Sequence, residues 1–181
     1  FALLPGGPAW PPGSITPGPV ASAGKRMGYW MIVLDEKNIL LGLEAEDRND
    51  CIRKIAAVME KNGYLGPDYA EEAIRREEQY PTGLPTDGVV VAIPHANKGT
   101  VHHTGIGMAV LARPVPFYNM ADHGQQLQVE MVFLLANTDP NQQLDDLRRL
   151  MECFCEEELL QAMKAAKEPG DVLAALAQVE P

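Results

Sequence analysis

Apolar positions along the chain fall into strand-like runs that alternate with helix-like stripes. Residues 38–43 (NILLGL) form a short apolar run of strand length. Asp47 then caps a helix whose Cys51, Ile52, Ile55, Val58 and Met59 share one side, and Gly63 closes it. Pro67 opens a second helix bearing Tyr69, Ala73 and Ile74; it runs through the charged stretch 71–78 and stops before Pro81. Gly88 precedes VVVAI (89–93), a β-branched run without alternation, which is the pattern of a central strand covered on both faces. Residues 106–111 and 129–135 (VEMVFLL) are two further strands. RPVPF (113–117) can only be an edge or bulged piece, because proline lacks the amide a ladder needs. Asp139-Pro140 starts a helix with the stripe Leu144, Leu147, Leu150, Met151 and Phe154. Helical pieces over 156–167 and 171–179 follow, separated by Pro169-Gly170. This interleaving predicts an α/β domain, a sheet covered by helices.

The pattern is missing from residues 1–26, which hold six prolines, five glycines and no acidic residue. Such a segment cannot bury enough surface to offset its ordering entropy, so it is expected to be a disordered or non-native tail. Met27 or Met31 is the expected start, and one domain is expected over 27–181. Net charge is −10 over 181 residues, and an acidic surface repels phosphate backbones and anionic lipid, which argues against nucleic acid as a partner. Cys51, Cys153 and Cys155 are too few and too unevenly placed for a disulfide framework, so a reducing cytoplasm is the expected compartment. No apolar run approaches the roughly 20 residues needed to span a bilayer.

Among four histidines, His95 has the most informative setting. In GVVVAIPHAN, Pro94 keeps Ile93 extended and places His95 just beyond a buried strand. The carboxyl ends of strands are where open α/β sheets bind ligands, and a neutral imidazole there is a competent nucleophile. On the tripeptide I-P-H alone, an ordinary hydrogen-bonded turn histidine is the blander reading. Upstream, Arg76 falls near the end of the second helix, before the turn Pro81-Thr82-Gly83. Its planar fork could hold phosphate oxygens and Thr82 could offer a hydroxyl, whereas Arg75 reads as a solvated helix residue. Amides near Ala96 and Asn97 are further candidate donors, and Leu84, Val91 and Ile93 are candidates for an apolar rim.

Taken together, R-E-E-Q-Y-P-T-G (76–83) and G-V-V-V-A-I-P-H (88–95) resemble the IIA domain of the fructose and mannitol type in the bacterial phosphoenolpyruvate-dependent sugar phosphotransferase system. The likeness extends over nearly all of 31–179. P-N-Q-Q-L (140–144), the L-x-x-L-R-R-L-M pattern after it and V-P-F (115–117) resemble the galactitol-specific branch. The resemblance implies a mixed sheet flanked by helices on both faces. It also implies a cytoplasmic phosphocarrier in which His95 accepts a phosphoryl group from the phosphohistidine of the carrier HPr and passes it to a cysteine of a IIB component. Sugar would then be phosphorylated during import through the membrane IIC component. Arg76 is implied beside the phosphorylated ring. Mannitol-type relatives often carry a second histidine where this chain has Gln142 and Gln143. Gln143 is therefore a candidate amide donor to phosphate, as in the galactitol-like pattern.

No cofactor or metal is expected. His102, His103 and His123 lie in polar segments without H-E-x-x-H or matched Cys/His spacing, and read as surface residues, which leaves a metal-dependent hydrolase as a remote alternative. The main competing function is a regulatory module of the same fold, whose phosphorylated histidine reports to a partner protein.

Overall fold

The computed structural model describes residues 34–178; the proline-rich segment 1–26 and Val179 lie outside them. After a short 3₁₀ turn at Glu36–Asn38 the order is β1 (Ile39–Leu43), α1 (Arg48–Lys61), α2 (Tyr69–Gln79), β2 (Gly83–Leu84), β3 (Val91–Ala92), β4 (Gly105–Tyr118), β5 (Gln126–Ala136), α3 (Pro140–Phe154), α4 (Glu157–Ala165) and α5 (Pro169–Gln178). The strands form one mixed sheet in the order β1-β4-β5-β3-β2. β1 runs parallel to β4 and β3 parallel to β5, while β4–β5 and β2–β3 are antiparallel.

Two apolar cores lie against the sheet. Ile52, Ile55 and Met59 of α1 and Tyr69, Ala73 and Ile74 of α2 pack with Ala92, Ala109, Val132 and Leu134. Leu150 and Phe154 of α3, Leu159, Leu160 and Met163 of α4, and Val172 and Leu176 of α5 pack with the alternate residues Val91, Met108, Met131 and Phe133. Adjacent positions on a strand face opposite ways, so helices cover both faces and VVVAI has no reason to alternate. Each large side chain removed from water contributes about 1.5–3 kcal/mol.

Helix starts follow local chemistry. The Asp47 carboxylate accepts from Asp50 N–H at 2.8 Å, and Asp139 accepts from Asn141 N–H at 2.9 Å with Pro140 opening α3. α2 starts at Tyr69 rather than Pro67, and Asp68 does not cap it: its carboxylate accepts from Thr100 N–H and hydroxyl instead, pinning the loop that follows His95. Pro169-Gly170 is the first turn of α5 and not a break. Asp171 accepts from the amides of Lys167 and Glu168 at 2.9 and 3.0 Å, which settles the start there. Gly63, at φ +83°, follows α1 in a conformation that suits glycine.

Two strands differ from the sequence pattern. RPVPF is part of β4; the register with β5 shifts between Val110 and Val115, and β1 pairs only with residues 108–111, so the prolines sit past that partner's end. VVVAI is interior, between β5 and β2, but only Val91 and Ala92 are regularly paired. Pro94 has no amide to give, and the Ile93 amide turns to Thr82 Oγ1 at 3.2 Å. Pairing returns at His95, opposite Leu135.

Candidate functional site

His95 is held from three directions. Leu135 N–H donates to the Pro94 carbonyl at 3.1 Å, which fixes the chain on β5. On the far side, the Tyr69 hydroxyl donates to the Leu135 carbonyl at 2.5 Å and accepts from Ala96 N–H at 3.2 Å. The ring itself is fixed by Nδ1, 2.8 Å from the Ile93 carbonyl. A carbonyl only accepts, so Nδ1 carries the proton and the lone pair of the neutral ring resides on Nε2. Burial pulls the His95 pKa below its ordinary 6.5; the Ile93 carbonyl works against that, and the Arg76 charge adds to the lowering. The side chain is 6 % exposed. The ring is therefore a neutral, oriented nitrogen nucleophile with little access to water.

Arg76 lies close enough for its charge to act on that ring. It is half-buried, its guanidinium stacks 4.7 Å from the Tyr80 ring centroid, and Nη1 donates to the Tyr80 carbonyl at 3.2 Å. Nε is buried with no hydrogen-bond partner, and no carboxylate ion-pairs with Arg76 among the described residues. A buried donor left open calls for an explanation, and a guanidinium fork of this kind has the geometry to take an anion's oxygens.

Thr82 is 3 % exposed and serves the frame. Its hydroxyl and amide donate to Glu77 Oε2 and Oε1 at 2.7 and 2.9 Å, and Oγ1 accepts from the Ile93 amide. The Thr82 hydroxyl hydrogen is thus committed to a carboxylate, and the Ala96 amide to Tyr69. Gln143 is half-buried in the first turns of α3, just after β5; among the described residues it makes no hydrogen bond to His95, Arg76 or Thr82. Val91 and Ile93, expected at an apolar rim, are 0 % and 2 % exposed and belong to the core, because the strand is covered on both faces. Among the described residues, the large apolar side chains that do face out are Tyr80, Met120 and Leu144. Tyr80 adjoins Arg76, and Met120 donates its amide to the Gly83 carbonyl at 2.8 Å.

Two participants escaped the sequence reading in this role. Tyr69 read as core, and Glu77 as one of many helix charges. The signal for Glu77 was its spacing, four residues after Ala73 and three after Ile74, which places a carboxylate on the buried face. It is fully buried, and desolvation raises its pKa to about 7 against the opposing Thr82 hydrogen bonds and the charges of Arg48 and Arg76.

The remaining histidines lie apart. His102 and His103 donate their amides to the Tyr64 carbonyl in the loop after His95, and His123 is exposed at the β4–β5 turn. Among the described residues, no three His, Cys, Asp or Glu side chains are grouped to hold a metal ion. Nor is any helix there long and apolar enough to cross a membrane.

A family model described as "Phosphoenolpyruvate-dependent sugar phosphotransferase system, EIIA 2" matches residues 32–179. The chain is 28 % identical over 152 residues to the mannitol-specific phosphotransferase enzyme IIA component of Bacillus subtilis, covering 82 % of this chain and 99 % of that protein. It is 29 % identical over 111 residues to the galactitol-specific EIIA component of Escherichia coli, covering 60 % and 72 %. It is also 34 % identical over 98 residues to the transcriptional regulator ManR of B. subtilis; that is 54 % of this chain but spans only 14 % of the regulator. Among solved structures, IIA mannitol from E. coli superposes with a TM-score of 0.65 at 24 % identity, covering 78 % of this chain and 97 % of the other. A complex of IIA and phosphorylated IIB mannitol enzymes from E. coli contains a chain that superposes with a TM-score of 0.65 at 23 % identity, covering 81 % and 99 %.

Proposed function

The chain belongs to the EIIA 2 family of the phosphoenolpyruvate-dependent sugar phosphotransferase system, and from that membership we propose that it is a phosphocarrier with His95 as the phosphorylated residue. The donor is phosphorylated HPr and the acceptor a cysteine of a IIB component, with the membrane IIC component served indirectly. The observation that carries this reading is the orientation of His95: Nδ1–H on the Ile93 carbonyl, Nε2 left with its lone pair, and Arg76 beside it with an unfilled donor.

The steps follow from these atoms. The Nε2 lone pair forms a bond to phosphorus as the donor's P–N bond breaks and its electron pair returns to the donor imidazole. Nδ1 keeps its proton, and the Ile93 carbonyl stabilises the positive charge the ring then acquires. Arg76 balances the phosphoryl oxygens, a task for a fixed cation because the transition state is loose and needs placement and charge more than covalent help. Gln143 is a secondary amide donor, and Thr82 serves phosphate through the frame it holds. In the second transfer a thiolate forms the S–P bond and the electron pair goes back to Nε2. Enclosure of the ring keeps water from intercepting the group. Tyr80, next to Arg76, is the apolar surface a partner would meet first. The compartment is the cytoplasm, where both partners act.

The imported compound is galactitol or a related polyol, on the strength of P-N-Q-Q-L and the glutamines in place of a second histidine. A second reading, a regulatory module signalling its phosphorylation state, is favoured by the 34 % identity to ManR. Incubation with phosphorylated HPr tests the phosphocarrier directly: wild type takes up one phosphoryl group and His95→Ala takes up none. Continued labelling of the variant would move the site elsewhere. Onward transfer to a IIB protein separates import from signalling.

A further inference from the structure

A fully buried carboxylate stands behind the nucleophile, and three hydrogen bonds link it to the ring. Glu77 Oε2 accepts from the Thr82 hydroxyl at 2.7 Å, Thr82 Oγ1 accepts from the Ile93 amide at 3.2 Å, and the Ile93 carbonyl accepts from His95 Nδ1 at 2.8 Å. Glu77 Oε1 also accepts the Thr82 amide at 2.9 Å, so both oxygens grip one residue. Burying a carboxylate costs several kcal/mol per charge, and a neutral amide of the same shape would spare that cost. Nothing in the packing of α2 requires an acid at this position, where its neighbours on the same face are Tyr69, Ala73 and Ile74.

We propose that Glu77 is a positioning residue for phosphoryl transfer: through Thr82 it fixes Ile93, whose carbonyl sets the His95 tautomer and points Nε2 at the incoming phosphorus. This rests on the reading of His95 as the phosphorylated residue. An ionised carboxylate is needed because it accepts two hydrogen bonds and donates none. With both oxygens accepting, the Thr82 hydroxyl must spend its hydrogen on Glu77, which leaves Oγ1 free to receive the Ile93 amide. A glutamine has one oxygen and an NH₂. The NH₂ competes with the Ile93 amide for Oγ1, and strand end and ring lose their fixed relation. The charged groups that bear on Glu77 are Arg76 from its own helix and Arg48 from α1. Both favour the ionised form, while burial holds its pKa near 7, so the device is fully engaged only on the alkaline side of neutrality.

The test pairs two readouts on the full chain. The rate of phosphoryl uptake from phosphorylated HPr is measured between pH 6 and pH 8 for wild type and Glu77→Gln. The ratio of the two rates cancels the donor's own titration. At pH 8 the variant should be about tenfold slower at saturating donor, with KM unchanged, and the ratio should fall toward one at pH 6 as wild-type Glu77 takes up its proton. In ¹⁵N-histidine-labelled, unphosphorylated protein, His95 should be protonated at Nδ1 in wild type and show mixed tautomers in Glu77→Gln. Thr82→Ser, which retains the hydroxyl, should recover most of the rate and the Nδ1-protonated ring that Thr82→Val loses. Thr82→Val should reproduce the Glu77→Gln loss, and the double variant should be no worse than either. A pH-independent ratio with an unchanged ring spectrum would overturn the proposal. If Glu77→Gln does not fold, the Thr82→Ser and Thr82→Val pair decides the same question. If wild type is not labelled at His95, the phosphocarrier reading fails, while the ring spectra still decide whether Glu77 sets the tautomer.

Discussion

The Ile93 carbonyl accepts the proton of His95 Nδ1 at 2.8 Å, and this one bond divides the labour of the imidazole. One nitrogen is spent on orientation and the other keeps a lone pair. Pro94 lies between the two residues; its missing amide breaks the β3 ladder and its ring keeps Ile93 extended, so the carbonyl can reach the ring two residues on.

In the proposed transfer, Arg76 carries the charge compensation. Arg76→Ala should slow phosphoryl uptake by about a hundredfold while leaving the melting transition close to wild type, since the side chain is half-buried and, among the described residues, its hydrogen bond and ring contact are with Tyr80. Arg76→Lys should recover part of the rate, because it restores charge but not the planar fork. Gln143→Ala should have a smaller effect than Arg76→Ala. Equal losses for both variants would shift the weight of phosphate binding to α3.

Two buried titrating groups should tilt stability in opposite directions with pH. The His95 pKa lies below its ordinary 6.5, so the native protein holds fewer protons there than the unfolded chain, and this stability is lost as pH falls from 6.5 through the native value. Glu77 is raised from 4.5 to about 7, so its contribution is complete below 4.5 and is lost as pH rises through 7, a change of about 3 kcal/mol. Urea titrations should show His95→Gln less sensitive than wild type on the acid side. Glu77→Gln should be flatter between pH 4.5 and 7. Parallel pH profiles for wild type and Glu77→Gln would mean that the carboxyl is not raised.

Gly83 sits where no side chain fits. A Cβ there would lie 2.5 Å from the Tyr118 carbonyl oxygen, a backbone atom that cannot swing aside. Gly83→Ala should push β2 away from the end of β4, cost about 1–3 kcal/mol and slow phosphoryl uptake, because Thr82 is the preceding residue. Unchanged stability by calorimetry would show that this junction yields freely.

Much of this was legible in the sequence for reasons that can be named. Periodicity marked Ile52, Ile55 and Met59 as a helix face, the uninterrupted VVVAI marked a doubly covered strand, and Asp139-Pro140 marked a helix start, because local chemistry decides each of these. Spacing and resemblance single out His95 and Arg76 as candidates, and the fold brings them close enough to interact electrostatically. What stayed hidden depended on contacts distant in sequence. Asp68 looks like a cap but is claimed by Thr100 across 32 residues. Thr82 looks like a phosphate donor but has its hydrogen bound to Glu77. Tyr69 packs as core while its hydroxyl ties Ala96 to Leu135, and no pattern of hydrophobicity reveals a hydroxyl's partner.

The most direct measurement is nitrogen NMR of ¹⁵N-histidine-labelled protein before and after phosphorylation by phosphorylated HPr. A single new phosphorus–nitrogen coupling at Nε2 of His95, with Nδ1 still protonated, is the predicted result. A phosphoryl group on Nδ1 of His95, or on any other residue, would contradict it.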